Sequence, residues 1–529
     1  MSGPSSPHVT RRTLLRTTTA TAATVAAVSV GTAASGAASP SSDIAPDQRR
    51  WPFRDLDEKI RAGMDRYAIP GVALGMLYRG REYVRGYGVT NVDYPVPVDG
   101  DTVFRIASNT KTFTGTAVMQ LVEQGRLDLD VPVRRYLPDF RTSDPAASAR
   151  VTVRQLLNHS AGWLGDFFID TGQGDNALAR YVADMTVLPQ LTAPGEMFSY
   201  NNAALSLTGR LIEVAVSRPY ETVARQLLVD PLGLSHTRFF TDEIVGFNIA
   251  APHNIVDGRP VVDPSFWALP RAINPAGGLI SSVRDLVRYA RFHLGDGTVP
   301  DGDTRLLSRQ SLLAMRTNPG PGGTLIVELD GMGITWMLRP TAEGIRVVQH
   351  GGDLPGQHSG FLMVPDSGFA LVMLTNSESG PLLLAELFAD DWALRRYAGV
   401  HNLPAVPRLL SPAELAAYEG RYLLVFINFD GTLGSLEFEL VGEAGQLSVR
   451  MDGAVVLRLA FYRPDYVLVL NPDGTPDHTR SNFERGADGT VAWVRFSGRL
   501  LQHLLTQAGV HVLADQPVTL GEFALLRRV

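Results

Sequence analysis

The distribution of apolar residues predicts two kinds of secondary structure in the first 400 positions of the chain. Two β-like runs, Gly71–Tyr78 and 82–88, flank a short Arg-Gly-Arg turn, which is typical of a β-hairpin. From residue 101 to about residue 313, apolar residues recur at helical spacing, with Gly, Pro and Asp between the periodic segments. β-like runs return at 325–329, 345–349, 360–364 and 369–374. Strands at both ends with helices between them predict an α+β sandwich, an antiparallel sheet with a helical insertion.

The period of the apolar residues changes to two after a proline-rich break at 401–412. Leu436, Phe438 and Leu440 alternate with glutamates, and Asp-Gly pairs separate further short runs of the same kind. Such alternation is typical of strands with one buried face, and Asp-Gly favours tight hairpin turns. We therefore predict an all-β antiparallel module, a small barrel, over residues 413–529.

The N-terminal residues have the composition of an export signal. Arg11 and Arg12 are followed by the weakly apolar stretch 17–34 and then by small residues, as in twin-arginine signals. The stretch is too short to hold a membrane span, and no later segment reaches the necessary length. We predict a signal peptide at 1–38, a linker at 39–50, and a secreted protein without stable membrane insertion.

Composition narrows the classes of function. With 529 residues, of which 45% are apolar, the chain is long enough for two or three domains. The net charge of −6, which loss of residues 1–38 would change to about −9, argues against a nucleic-acid partner. Without cysteine, disulfides, a thiol nucleophile and a thiolate metal site are excluded. His-Glu-x-x-His and phosphate-loop patterns are absent too, so we expect no metal and no cofactor.

Ser108 and Lys111 are the first candidates for catalytic chemistry. The chain has only two lysines, Lys59 and Lys111, among 48 basic residues, and a desolvated lysine can lose its proton whereas arginine cannot. Lys111 stands three positions after Ser108 at the start of a predicted helix, so one helical turn brings its amine to the serine hydroxyl. The helix dipole would also favour an oxyanion there. The structural alternative is that Ser108 is the N-cap of this helix and Lys111 is a solvated residue of its first turn.

Two further polar segments are candidates for the same site. Tyr200 and Asn202 lie at the start of another predicted helix, where a neighbouring ammonium could lower the pKa of the phenol and the amide could bind a substrate amide. The segment 349–353 places two glycines at the end of a predicted strand, where the backbone can approach a ligand closely. Structural roles also fit both segments. In the first, Asn201 or Asn202 would cap the helix and Tyr200 would pack beneath it, and in the second the two glycines would form a turn.

In this order, the three segments resemble the motifs of the serine β-lactamase and penicillin-binding-protein superfamily, specifically its class C-like esterase and D-aminopeptidase branch. The residues that match are Ser108 and Lys111 (Ser-x-x-Lys), Tyr200 and Asn202 (Tyr-x-Asn), and His350, Gly351 and Gly352 (His-x-Gly). The resemblance implies a β-lactamase/transpeptidase-like domain at 51–400, then a linker at 401–412. The module at 413–529 resembles the lipocalin-like domain appended to some peptidases and to peptide cyclases of this superfamily.

The resemblance implies a serine hydrolase that forms an acyl-enzyme on Ser108. Lys111 and Tyr200 would take the serine proton and pass it to the leaving group, and His350 would assist. The backbone N–H groups of Ser108 and Asp353 would hold the oxyanion. The residues predicted to bind the substrate are Asn202, Gly351, Gly352, Asp353 and Trp163.

His350 is a departure from classical β-lactamases, which have a lysine there to hold the substrate carboxylate. Because neutral histidine would hold a carboxylate less well, we expect an esterase, an amidase or a peptidase acting on D-residues rather than an efficient penicillinase. Trp163, Phe167 and Phe168 follow a segment that borders the cleft in the family, so they would form an apolar acyl pocket. A role as ordinary core aromatics is equally open for them.

Three classes of function stay open at this point. A secreted serine hydrolase of a small-molecule or peptide substrate is favoured, and an acyltransferase or peptide cyclase would use the same acyl-enzyme. The third class is a D,D-carboxypeptidase or a non-catalytic penicillin-binding sensor. The C-terminal module would either cover the cleft or mediate formation of a homo-oligomer.

Overall fold

The computed structural model describes residues 52–317, 319–427, 433–471 and 473–504. The predicted signal peptide at 1–38 and the linker at 39–50 lie outside the described residues, as does the C-terminal part of the predicted barrel module, 505–529. Within the described part, no helix is both long enough and apolar enough to cross a membrane.

Seven antiparallel strands form the central sheet of the first domain, and they come from both ends of its sequence. The hairpin of β1 (Gly71–Tyr78) and β2 (Arg81–Gly88) forms one edge, and β1 pairs with β13 (Phe369–Thr375). The remaining strands follow in the order β12 (Gln357–Val364), β11 (Val347–Leu354), β10 (Met337–Arg339) and β9 (Gly331–Met332). Arg79 and Gly80 in the hairpin turn both have positive φ, as a type I′ turn requires.

Helices cover both faces of this sheet. In chain order they are α1 (Arg54–Tyr67), α2 (Thr110–Glu123), α3 (Pro145–Arg150), α4 (Val153–Leu157), α5 (Ala177–Asp184), α6 (Asn202–Val216), α7 (Tyr220–Ala224), α8 (Asn274–Gly277), α9 (Val283–Leu294), α10 (Arg309–Thr317), α11 (Gly380–Leu384) and α12 (Trp392–Ala398). A further helix, α13 (Pro412–Leu415), packs against the core of the C-terminal domain instead. Along β1, Val72, Leu74 and Met76 join the core under α1, α11 and α12, whereas Ala73 and Leu77 join the larger core of the helical insertion.

Three short strand pairs lie outside the central sheet. They are β3 (Phe104–Arg105) with β6 (Ile280–Ser281), β4 (His253–Val256) with β5 (Arg259–Val262), and β7 (Gly323–Leu325) with β8 (Val327–Leu329). The first pair lies next to the segment that begins α2, and the last pair contacts the C-terminal domain.

The C-terminal domain is a closed eight-stranded antiparallel barrel. Its strands are β14 (Gly420–Ile427), β15 (Leu433–Glu443), β16 (Gln446–Met451), β17 (Ala454–Arg463), β18 (Tyr466–Leu470), β19 (Pro476–Arg485), β20 (Val491–Phe496) and β21 (Arg499–Leu504). β14 pairs with β21 and so closes the barrel. Apolar side chains pack inside it: the ring of Tyr418 lies 4.6 Å from that of Phe461 and 4.8 Å from that of Phe483.

The barrel packs directly against the first domain. Ile326, between β7 and β8, forms a β-bridge with Arg480 of β19. The Arg480 guanidinium also donates to the Glu328 carboxylate at 2.6 Å, and the Tyr462 hydroxyl donates to it at 2.8 Å. Because Glu328 and Arg480 are both buried, this contact removes charged groups from water and holds the two domains in one orientation.

The predicted fold is confirmed: an antiparallel sheet with a helical insertion, followed by an all-β barrel. Two local predictions were wrong. The run 325–329 is not one strand, because Ile326 has φ of 65° and separates β7 from β8. The glycine segment 349–353 lies inside β11 rather than at the end of a strand, because β12 pairs with it as far as Leu354.

Candidate active site

Ser108 lies in a single 3-10 turn, Ala107–Asn109, directly before α2. Ala107 has φ of 47°, a left-handed conformation that is strained for a residue with a Cβ atom. The neighbours of Ser108 in the turn are buried, whereas Ser108 is only half-buried. The turn therefore presents one accessible hydroxyl at the positive end of a helix dipole.

The Lys111 side chain is fully buried one helical turn further on. Its Nζ lies 2.9 Å from Ser108 Oγ, 2.7 Å from Asn202 Oδ1 and 2.7 Å from the backbone oxygen of Ala276. Burial lowers the pKa of the Lys111 amine well below its usual range, and the Arg499 charge lowers it further, against the Asp166 carboxylate, which raises it. Because the Lys111 side chain is buried, the alternative of a solvated lysine is excluded.

The contacts of Lys111 fit a neutral amine. A neutral amine has two hydrogens and one lone pair, and the oxygens of Asn202 and Ala276 can only accept. When the amine is neutral and those two oxygens take its two hydrogens, the lone pair faces Ser108 Oγ at 2.9 Å, where the hydroxyl can donate to it. The geometry can therefore transfer a proton from Ser108 to Lys111.

Tyr200 lies beside this pair and is also buried. Lys111 Nζ is 5.0 Å from the centre of the Tyr200 ring, and the His159 ring stacks on the tyrosine at 4.5 Å. The expected fall in the pKa of the phenol is not found: burial raises that pKa, although a hydrogen bond with Ser108 and the charge of Arg499 work in the opposite direction. Tyr200 is thus a protonated phenol at neutral pH.

Asn202 links Lys111 to an ion pair that the sequence did not suggest. Its Oδ1 accepts from Lys111, and its Nδ2 donates to Asp166 Oδ1 at 2.7 Å. The Asp166 carboxylate is held in turn by the guanidinium of Arg499, in the last described strand of the barrel. The amide of Asn202 is therefore fixed with its oxygen toward Lys111, and its predicted contact with substrate stays a prediction.

The barrel hairpin that carries Arg499 also contacts Tyr200. The backbone N–H of Tyr200 donates to the oxygen of Gly498 at 2.8 Å, and the Arg499 guanidinium lies 5.4 Å from the Tyr200 ring centre. Gly498, in the β20–β21 turn, has φ of 75°. Neither Asp166 nor Arg499 belongs to a recognisable motif, and they are 333 positions apart, so only the tertiary structure brings them together.

His350 is buried next to Tyr200, with 6.2 Å between their ring centres. Its Nδ1–H donates to the backbone oxygen of Gly351 at 2.6 Å, so Nε2 carries the lone pair of the neutral ring. No described residue is a hydrogen-bond partner of that Nε2. Burial lowers the pKa of His350 to about 3, so the ring is neutral at physiological pH.

The two glycines after His350 bring β11 against the nucleophile turn. A Cβ atom at Gly352 would lie 2.2 Å from the backbone oxygen of Ile106 and 3.0 Å from the nitrogen of Ser108, so only glycine fits there. A Cβ at Gly351 would meet nothing closer than 3.5 Å. β10 pairs with β11 only as far as Gln349, so the following residues of β11 have no neighbouring strand on that side. A substrate can therefore reach this backbone.

Trp163 does not line the cleft as predicted. Its side chain has no exposed surface and packs in the core, with its ring 5.7 Å from that of Phe140. Phe167 is buried in the same core, whereas Phe168 is half-buried at its margin. The contribution of Trp163 to the site is its backbone oxygen, which accepts from Asn201 Nδ2 at 2.9 Å and so supports the start of α6.

Among the described residues, no three His, Asp or Glu side chains are grouped closely enough to hold a metal.

A comparison with protein families and a comparison with known sequences agree with each other. Residues 56–392 match the family model described as Beta-lactamase. Penicillin-binding protein 4 of Amycolatopsis lactamdurans is 34% identical over 375 residues, which cover 70% of this chain and 97% of that protein.

Solved structures extend the similarity to both domains. The crystal structure of SurE matches with a TM-score of 0.67 and 28% identity, over 85% of this chain and 99% of SurE. The D-amino acid amidase from Ochrobactrum anthropi SV3, complexed with L-phenylalanine amide, matches with a TM-score of 0.50 and 28% identity, over 61% of this chain and 91% of the amidase.

Proposed function

Because this chain belongs to the beta-lactamase family of serine hydrolases, we propose that it cleaves an ester or amide bond through an acyl-enzyme on Ser108. The observation that carries the proposal is the 2.9 Å contact between the Ser108 hydroxyl and the buried Lys111 amine. A serine becomes an effective nucleophile when a base lies within hydrogen-bond distance, and a neutral, desolvated amine is such a base.

Acylation begins when Ser108 Oγ attacks the carbonyl carbon of the substrate and its proton passes to Lys111 Nζ. The carbonyl oxygen becomes an oxyanion, which the backbone N–H groups of Ser108 and Asp353 would hold. The bond to the leaving nitrogen or oxygen then breaks, and that atom receives the proton from the Lys111 ammonium through the Tyr200 hydroxyl. Since the raised pKa of Tyr200 disfavours the phenolate, we expect the phenol to release one proton as it takes up another.

Deacylation uses the same groups in reverse. A water molecule attacks the acyl carbon, and its proton passes to Lys111, either directly or through the Tyr200 hydroxyl, which releases its own proton to Lys111 as it takes up another. The bond between the acyl carbon and Ser108 Oγ breaks, the serine recovers its proton, and the free acid leaves. Besides the substrate, the proposed cycle needs only water.

The charge of the site supports an esterase, amidase or D-residue peptidase over a penicillinase. His350 stands where a classical β-lactamase has a cationic lysine, and its pKa of about 3 leaves it neutral. A neutral ring provides no counter-charge for the carboxylate of a penicillin. The likeness to a D-amino acid amidase supports amides of D-amino acids as the first substrates to test.

Intact-mass analysis tests the proposal. The mature protein and its Ser108→Ala variant would be treated with a fluorophosphonate, p-nitrophenyl butyrate, a D-amino acid amide and a penicillin. We expect a Ser108-dependent fluorophosphonate adduct, turnover of the ester or the amide, and no lasting penicilloyl adduct. A stable penicilloyl adduct without turnover would replace the hydrolase with a penicillin-binding sensor, and full activity of Ser108→Ala would reject the mechanism.

We also propose that the protein is exported through the twin-arginine route, on the evidence of its N-terminal sequence. A reporter fused behind residues 1–50 should appear outside the cytoplasm. Replacing Arg11 and Arg12 together by lysine should retain the reporter inside the cell. Export that does not depend on these arginines would contradict the proposal.

A further inference from the structure

His159 is a buried residue that the proposed mechanism does not use. It follows the last turn of α4, at the position where a helix commonly ends in the left-handed conformation, and its φ is 57°. Glycine is the usual residue at that position, because a Cβ atom is strained there. The presence of a histidine instead indicates that its side chain has a role of its own.

Two hydrogen bonds of His159 hold the residues on either side of Tyr200. The backbone oxygen of His159 accepts from the N–H of Ser199 at 2.9 Å, and its Nδ1 accepts from the backbone N–H of Asn201 at 3.0 Å. Because a backbone N–H can only donate, Nδ1 carries the lone pair of the ring and Nε2 carries its hydrogen. Burial lowers the pKa of His159 well below its usual range, which keeps the ring in this neutral form.

The His159 ring also covers one face of the Tyr200 phenol. The centres of the two rings are 4.5 Å apart, and their planes differ by 29°, so the imidazole stacks on the phenol. The backbone N–H of Tyr200 is held separately, by the oxygen of Gly498 in the barrel at 2.8 Å. His159 therefore fixes both the backbone around Tyr200 and the orientation of its ring, which are the two things that set where the hydroxyl lies.

We infer that His159 is a positioning residue for Tyr200: through its hydrogen bond with Asn201 and its stacked ring, it holds the phenol where it can protonate the leaving group. The inference rests on the proposed hydrolysis at Ser108, in which Tyr200 delivers that proton. A displacement of about 1 Å can cost a catalytic group about 100-fold in rate. Loss of His159 should therefore slow those substrates most whose leaving group needs the proton.

Two butyrate esters test the inference, because they form the same butyryl-enzyme and differ only in the leaving group. The p-nitrophenolate anion is stable and departs without a proton, whereas the ethoxide of ethyl butyrate must be protonated as it leaves. Both values of kcat/KM, which report the steps up to the acyl-enzyme, would be measured by pH-stat. Each would be divided by the concentration of Ser108 that reacts with a fluorophosphonate, so that unfolded molecules do not count.

His159→Leu removes both the ring and the acceptor. We expect it to raise the ratio of p-nitrophenyl to ethyl kcat/KM by about tenfold, which is part of the roughly 10²- to 10⁴-fold that a positioned proton donor contributes. His159→Asn should raise the ratio less, because asparagine tolerates the left-handed conformation and its Oδ1 can accept from the Asn201 N–H. In a Tyr200→Phe background neither substitution should change the ratio further, since the proton donor is already absent.

His293→Asn is the matched control. His293 is another buried histidine, and its ring packs against Tyr289 and Trp336. A general loss of stability would affect the two esters equally, so we expect this control to keep the wild-type ratio.

Two results would overturn the inference: an unchanged ratio in His159→Leu, or a further rise when that substitution is added to Tyr200→Phe. If His159→Leu fails to fold, the same two comparisons are made with His159→Asn, and either of those results would then count against His159. Failure of the proposed function is seen separately, as absence of Ser108-dependent turnover of p-nitrophenyl butyrate by the wild type, and it would remove the inference as well.

Discussion

The guanidinium of Arg499, in the barrel, forms a two-point ion pair with the carboxylate of Asp166, in the β-lactamase-like domain. Asp166 accepts from Asn202 Nδ2, and Asn202 accepts from Lys111, so the barrel reaches the candidate base through three consecutive contacts. The barrel is therefore part of the site rather than an appended module. Besides burial, the charge of Arg499, in the barrel, lowers the pKa of Lys111, in the other domain.

Opposite changes to this ion pair should shift the pH profile in opposite directions. Arg499 lowers the pKa of Lys111 and Asp166 raises it. In the proposed mechanism activity requires the neutral amine, so kcat/KM should fall as pH drops through that pKa. Arg499→Met should move this acidic limb to higher pH, and Asp166→Asn should move it to lower pH. Profiles of kcat/KM against pH measure both, and shifts of the same sign would contradict the network.

Arg499→Met should also cost stability, because it leaves the buried Asp166 carboxylate without its counter-charge. We expect a loss of about 3 kcal/mol in the free energy of unfolding. The double variant Asp166→Asn/Arg499→Met should recover part of that loss, since no unpaired charge remains. Urea unfolding of the single and double variants checks the coupling, and additive losses would show that the two residues act independently.

Lys111→Arg should reduce kcat/KM by about 10³-fold, because a guanidinium stays protonated and cannot accept the Ser108 proton. The matched control is Lys59→Arg at the other lysine of the chain, which is half-buried and pairs with Glu386 at 3.1 Å away from the candidate site. We expect the control to keep both activity and melting temperature. Steady-state kinetics with p-nitrophenyl butyrate decide the question, and substantial activity in Lys111→Arg would exclude the lysine as the base.

Gly352→Ala should be far more damaging than Gly351→Ala, although the two glycines are adjacent. The added methyl at Gly352 would lie 2.2 Å from the oxygen of Ile106, so β11 or the Ser108 turn must move. A displacement of about 1 Å at a nucleophile can cost about 100-fold in rate, and we expect at least that loss in kcat/KM. The methyl at Gly351 has room, with its nearest contact at 3.5 Å. Equal losses in the two variants would argue against this packing.

Acid should destabilise the protein through its buried histidines. Burial lowers the pKa of His293 from 6.5 to about 3. Above pH 6.5 the ring is neutral in both states, but as pH falls from there toward 3 only the unfolded chain takes up the proton. The free energy of unfolding should therefore decrease over that range, by on the order of 5 kcal/mol for this residue.

Urea unfolding between pH 7 and pH 4 measures this effect. His293→Asn should give a shallower dependence on pH than the wild type, and not a flat one, because burial also lowers the pKa of His350 and His159. An unchanged slope in His293→Asn would show that His293 is accessible to protons in the folded state.

Local patterns predicted most of the elements well. The turn at Arg79 and Gly80 lies where its turn residues placed it, and the alternating run 436–440 lies in strand β15, since these are properties of neighbours in the sequence. The break at Ile326 was missed because apolar character carries no information about the sign of φ. Trp163 was assigned to the cleft because it follows a segment that borders the cleft in the family, and that position does not reveal on which side of the backbone its ring lies.

The sequence already contains the chemistry that one helical turn can hold: a serine, and a lysine in a chain where arginine serves almost everywhere else. It also determined the order of motifs that resembles one superfamily. The protonation states could not be predicted in this way, because they follow from burial, and burial of Lys111 and Tyr200 depends on elements distant in sequence. The pairing of Asp166 with Arg499 likewise required the barrel to pack on the first domain, a contact that no local pattern encodes.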